Sequence, residues 1–165
     1  MAQKNPKLER ELGKYFQKVE CILVKAVREA FAMCGEEAVA FAKDRPQDES
    51  WYDHTENLRS SIGYGLYEHG LNIITSSFRG AGVEGVTTGE KMIKELAEEY
   101  RDAAISLVVV AGMNYAEYVE AIDGKDVLAS AELKAKSRID DILRRAINDA
   151  EKEIERIPFN ITITI

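Results

Sequence analysis

Between Leu8 and Phe41 apolar residues recur at helical spacing: Leu8, Leu12, Tyr15 with Phe16, Val19, Ile22 with Leu23, Ala26 with Val27, Ala30 with Phe31, Ala38 and Phe41. A repeat of that period lays one apolar stripe along one side of a helix, so the spacing predicts a single long amphipathic helix over residues 8–43. Gly35 is the weak spot in the run. Pro46 closes it, because a proline disfavours helical torsions at the preceding Arg45. A second stretch has the same character. Leu128, Ala131, Ala135, Ile139, Ile142, Leu143, Ala146, Ile147, Ala150 and Ile154 predict a helix over residues 128–156, with both charge signs on its other faces and Pro158 as its stop.

Between these two helices the period changes. Ile62, Tyr64 and Leu66 alternate with small residues and predict a half-buried strand, and Glu68-His69-Gly70 supplies a turn into a second, antiparallel strand over residues 71–78 that is wet on at least one side or end. Ile105 to Val110 is the most apolar run of the chain and reads as the central strand of the sheet. Thr87 and Glu90 form a capping-box pair that opens a helix carrying Met92, Ile93, Leu96, Ala97 and Tyr100 and ending near Asp102. Asp53 with Glu56 resembles a second such box, opening a short turn over residues 55–59. Asn114 is placed to cap a short helix with Tyr115, Tyr118 and Val119, and Asp123 to Asp126 is a turn. The alternating Ile and Thr of residues 160–165 form either a last strand or an exposed arm.

The architecture expected is therefore α+β, one domain over residues 1–165. A small, mainly antiparallel sheet is flanked by two long helices and one or two shorter ones, with the sheet and an inserted helix held in residues 61–112. Such a sheet keeps free edges, through which a chain can join its neighbour by strand addition.

The 165 residues and 45% hydrophobic content suffice for one core. With 22 Lys and Arg against 29 Asp and Glu, the net charge of -7 repels phosphate backbones and anionic lipid, so no specific nucleic acid and no membrane is expected as a partner. Arg144-Arg145 is the one adjacent basic pair, and Asp140, Asp141 and Asp149 dilute it. No apolar run approaches the ~20 residues of a membrane span, and residues 1–10 are polar, which predicts a protein made and kept in a cytoplasm. Cys21 and Cys34 lie about 20 Å apart on different faces of one predicted helix, too far to bridge, and read as packing residues. No metal site is expected.

Gly80-Ala81-Gly82-Val83-Glu84-Gly85 matches the dinucleotide pattern G-x-G-x-x-G between a strand and a helix. Three features oppose a nucleotide there. The preceding strand is polar, the capping box starts the helix only after Val86, and Gly112-Met113-Asn114 stand where an acidic ribose ligand belongs. A mobile surface loop is the simpler account of the glycines. Asp53-His54-Thr55-Glu56 has the residue types of an acid-base site, yet each also suits the start of a helix. No Ser or Cys has the setting of a nucleophile. No catalytic residue and no cofactor are expected, and the chain reads as a binding protein, not an enzyme.

Two segments carry a resemblance. Asp53-His54-Thr55-Glu56-Asn57-Leu58-Arg59-Ser60-Ser61-Ile62 is similar to the D-x-T-G-N-L-R-x-S-I segment of the HK-type siphophage "gene product ten" family of tail components, and Val108 to Glu120 is similar to that family's strand leading into Y-A-x-Y-V-E. With the leading and trailing helices the resemblance covers roughly residues 8–156, and residues 127–132 resemble the longer prophage versions from gut Bacteroides-like hosts. Glu56 replaces the family's glycine, residues 121–131 replace its Gly-Thr and Pro-Phe-Leu elements, and the helix over residues 88–102 is an addition. The resemblance implies a neck or tail-completion subunit of the virion, assembled in the bacterial host cytoplasm. It implies a homo-oligomeric ring, with a hexamer among the sizes, that contacts connector and tail-tube proteins. It points to Asn57, Leu58, Arg59, Tyr115, Tyr118 and Glu120 as interaction residues. Arg59 can grip a carboxylate with two bonds or serve an internal cap. The two tyrosines suit an interface or a half-buried core. A nucleotide-dependent enzyme using the glycine motif and a non-structural phage or host binding protein are the alternatives.

Overall fold

The computed structural model describes residues 5–46, 51–122 and 125–158. Its elements run in the order α1 (Pro6–Asp44), α2 (Asn57–Ser60), β1 (Ile62–Glu68), β2 (Leu71–Thr75), α3 (Val83–Leu96), a 3-10 turn (Ala97–Tyr100), β3 (Ser106–Ala111), α4 (Ala116–Glu120) and α5 (Ala129–Glu155). The protein has an α+β fold. Asn5 caps α1 through its side chain, Pro6 takes the first position where no amide bond is needed, and Arg45 is extended ahead of Pro46. The predicted strand or arm over residues 160–165 lies outside the described residues.

The sheet has the order β2-β1-β3 and is antiparallel throughout, with Gly65 opposite Thr75 on one side and Val108 on the other. The valine-rich β3 is thus an edge strand, and β1 is the centre, which corrects the expected order. Nor is β1 half-buried: Ile62 through Tyr67 are all buried. Ile62 and Tyr64 face α1, where Ala38 and Ala42 meet them, and Tyr67 faces α3 together with Phe78, Ile93, Val108 and Val110. Glycine makes the second face possible. A Cβ at Gly63 would stand 2.4 Å from the Phe78 ring, so small residues in this strand mark covered surface and not solvent. Strand β2 is shorter than predicted. Past its end the Ser76 amide still donates to the Tyr64 carbonyl at 2.9 Å, but the Tyr64 amide is accepted by the Ser76 side chain, at 2.8 Å. The hairpin turn is a two-residue loop with His69 and Gly70 both at positive φ, 49° and 76°, as the right-handed twist of the strands prefers.

The two long helices lie on the same face of the sheet, and α3 covers the other. Helix α5 returns antiparallel along α1. The Cys34 thiol lies 3.7 Å from the Ala135 carbonyl, Arg138 pairs with Glu37 at 3.2 Å, and Ile22 and Lys25 share a groove with Asp149 and Glu153. Gly35 does not weaken α1. It is buried, and a Cβ there would meet the Tyr64 ring at 2.7 Å, so the residue is the seat of β1 on the helix. At ~1.5 Å per residue α1 is about 58 Å long and α5 about 40 Å, so α1 runs on past α5 by roughly three turns at its N-terminal end.

Candidate interaction surface

The first of the two resembling segments turns its polar side chains onto the chain itself. Asp53 Oδ2 accepts the Arg59 amide at 2.9 Å and Thr55 Oγ1 accepts the Asn57 amide at 3.3 Å. The expected pairing of Asp53 with Glu56 is not formed, because Glu56 sits at φ 56° and makes no side-chain cap. Asn57 instead reaches across to α3: its Oδ1 accepts the Gly85 amide and its Nδ2 donates to Glu84 Oε2, both at 3.2 Å. Leu58 is 1% exposed and belongs to the core, so it presents no surface. Arg59 donates to the carbonyls of Lys43 and, at 3.0 Å, of Arg45, and its guanidinium lies 4.9 Å from the centre of the Trp51 ring. Those carbonyls end α1 and have no partner within the helix, so a cation closes its negative end.

The glycine motif belongs to the same joint. It is not a mobile loop: α3 begins at Val83, inside the motif. The Thr87 hydroxyl therefore donates back to the Val83 carbonyl at 3.1 Å and does not open a helix. The cap comes from far away in sequence, where Ser60 Oγ accepts the Gly82 amide at 3.1 Å and Asn57 accepts that of Gly85. A Cβ at Gly85 would fall 1.9 Å from the Asn57 carbonyl oxygen, so the glycines let α3 press onto α2. The early start does place a helix N-terminus at the glycines, where a phosphate would be held. Two of its amides are occupied by the chain's own side chains.

The second segment behaves alike at one residue and differently at two. Glu120 Oε2 accepts the amides of Val127 at 2.9 Å and Leu128 at 2.7 Å, and Oε1 accepts that of Ala129 at 3.1 Å. A carboxylate thereby satisfies free amides at the positive end of α5. Asn114 caps nothing; Tyr115 holds the N-cap position of α4, with no side-chain bond. Tyr115 is 36% exposed and Tyr118 71%.

The two segments meet at the surface. Asp53 and Leu58 from one and Tyr115 and Val119 from the other, with the neighbouring Trp51, Tyr52 and Ile122, line a depression of about 420 Å³. Tyr52, 61% exposed, meets His54 edge-on with ring centres 4.2 Å apart. Burial, followed by the charges of Asp53 and Glu84, pushes the Tyr115 phenol above its ordinary value. Among the described lining residues Lys125 is the one lysine or arginine and Asp53 the one carboxylate, with Glu84 and the Arg59 guanidinium nearby. Sequence reasoning missed Trp51 and Tyr52, although two adjacent aromatics at the end of a polar loop were a signal. Their bulk serves an apolar contact, with a hydroxyl at one rim.

Among the described residues no group of three or more His, Cys, Asp or Glu side chains is arranged to hold a metal ion, and no helix is long and apolar enough to cross a membrane. Comparison with known proteins finds no family model, no curated protein and no solved structure that matches the chain.

Proposed function

We propose that this chain is a structural phage protein of the head-to-tail junction or tail, encoded in a prophage. In this reading it assembles with copies of itself into a ring and docks onto connector and tail-tube proteins, in a virion built in the bacterial host cytoplasm. The observation that carries the reading is the first part of α1. Residues 6–29 keep the apolar stripe of the helix but include no buried residue, and Leu8, Phe16 and Leu23 are exposed. Most helical stability in proteins comes from packing an apolar face, so a stripe this long that buries no residue fully favours a protein completed by neighbours. The resemblance of residues 53–62 and 108–120 to a tail-component family supplies the setting. The test is sedimentation over a wide concentration range, with pull-down of connector and tail-tube proteins encoded beside this chain. Concentration-dependent assembly and capture of either partner are expected. A strict monomer that captures neither overturns the proposal.

The helix N-terminus at Gly80 to Gly85 favours one other reading, a nucleotide-binding enzyme, and the occupation of the Gly82 and Gly85 amides weighs against it. Millimolar NAD or ATP that leaves the melting temperature unmoved removes that reading.

A further inference from the structure

We infer that copies of this chain are joined by strand addition, residues 160–165 of one copy lying as a fourth strand along the open edge of β3 in the next. This rests on the self-assembly reading above and names the edge and the segment that carry it.

The edge is read from the ladder. The Gly112 amide donates to the Ser61 carbonyl, so by the alternation of an antiparallel pair Leu107, Val109 and Ala111 turn their backbone amides and carbonyls away from β1. Among the described residues no further hydrogen bond reaches those three. Sheet edges are commonly protected by a charge, a proline or a bulge. Strand β3 has no charge and no proline, and its register against β1 is unbroken, whereas the pairing of β2 is irregular between Leu66 and Tyr67. A strand added beside β3 also meets an apolar support. Helix α5 lies past Leu107, where its Ile139 and Leu143 stay partly exposed.

The segment has the chemistry this edge asks for. Asn160-Ile161-Thr162-Ile163-Thr164-Ile165 places three isoleucines on one side of an extended chain and two threonines on the other. Its isoleucines suit the α5 side, its backbone suits the free groups of β3, and its length matches that of the strand.

The place where α5 ends decides whose edge is used. The Ile157 amide still donates to the Ile154 carbonyl, so the last turn runs to it. Leu107 packs near Ile142, and Ile157 stands about 20 Å farther along the helix. Asn160 can come back from Ile157 by about 10 Å at most. One copy therefore cannot lay residues 160–165 in full along its own β3, and the edge of a neighbour carries no such limit. A segment and an edge at different places on one subunit make a heterologous contact, which forms a ring when the rotation closes.

The experiment uses the full chain with the segment or the edge spoiled. The pair Ile161→Lys, Ile163→Lys spoils the segment. Val109→Pro removes an outward amide of the edge while sparing the β1 ladder, and circular dichroism verifies the fold. Should Val109→Pro unfold the chain, Ala111→Pro replaces it. Each variant alone is expected to associate at least about tenfold more weakly than the parent. Their mixture is expected to form a one-to-one dimer, because one intact segment and one intact edge remain. Amide exchange at Val109 is expected to slow when the parent assembles. A mixture that stays monomeric overturns the inference, and so does exchange at Val109 that stays fast in the assembled parent. A segment variant that assembles as the parent does, as pairing of two β3 edges would give, overturns it as well. In these cases the parent still assembles and the self-assembly reading stands; a parent monomeric at every concentration removes both.

Discussion

The two halves of α1 share one periodicity and differ in everything built on it. From Ala30 onward the helix buries Ala30, Cys34, Gly35, Ala38, Val39 and Ala42, and only Val39 is larger than a cysteine. Before Ala30 the same stripe carries Leu12, Tyr15, Phe16, Ile22 and Leu23, and nothing is buried. Small side chains let β1 and α5 approach the helix backbone, whereas the large ones before Ala30 keep part of their area exposed. Period tells which face of a helix is apolar. Residue size tells how near the neighbour comes.

Substitutions that treat the halves alike should separate them. Ile142→Ala, emptying the site of α5 that packs on Ala30 and Cys34, is expected to cost about 3 kcal/mol in urea unfolding. Gly35→Ala, which sets a methyl 2.7 Å from the Tyr64 ring, should cost about 2 kcal/mol by the same measurement. A tolerated alanine at Gly35 would break the contrast. The packed half also has a pH signature. Burial and a hydrogen bond to Glu36 push the Tyr64 phenol up to about 12. The folded state keeps that proton longer than the unfolded state, so this stability is fully present below pH ~10 and is lost as pH rises toward the folded value. Between pH 10 and 12 the parent should therefore lose on the order of 1–2 kcal/mol more than Tyr64→Phe. The smallest effect belongs to the open half: Phe16→Ala should shift the unfolding free energy of the dilute chain by no more than about 0.5 kcal/mol. A loss near that of Ile142→Ala would mean the stripe is covered after all.

The long helices were legible because period survives without knowledge of what packs on it, and the α+β class followed from them. The middle of the sheet was less legible. Valine content drew the eye to β3, yet the centre went to β1, whose Gly63 lets the Phe78 ring lie on the strand. Helix starts failed for a different reason. Thr87 and Asn114 were the nearest capping residues in sequence, but Asn57 and Ser60 cap α3 from more than twenty residues away, and Glu120 caps α5 from outside it. Local pattern cannot see a cap that folding delivers. The same holds for the surface: Asn57, Leu58, Arg59 and Glu120 also hold helices and core together, and the two tyrosines stand partly exposed with Tyr52.

The stacking of Arg59 on Trp51 also gives the molecule an optical handle. Trp51 is the sole indole of the chain, 3% exposed, with a cation over its ring and no acceptor for its N–H among the described residues. Its emission colour therefore reports on the corner where α1 ends and the hollow begins, and a ligand seated there registers in the ultraviolet without any dye attached.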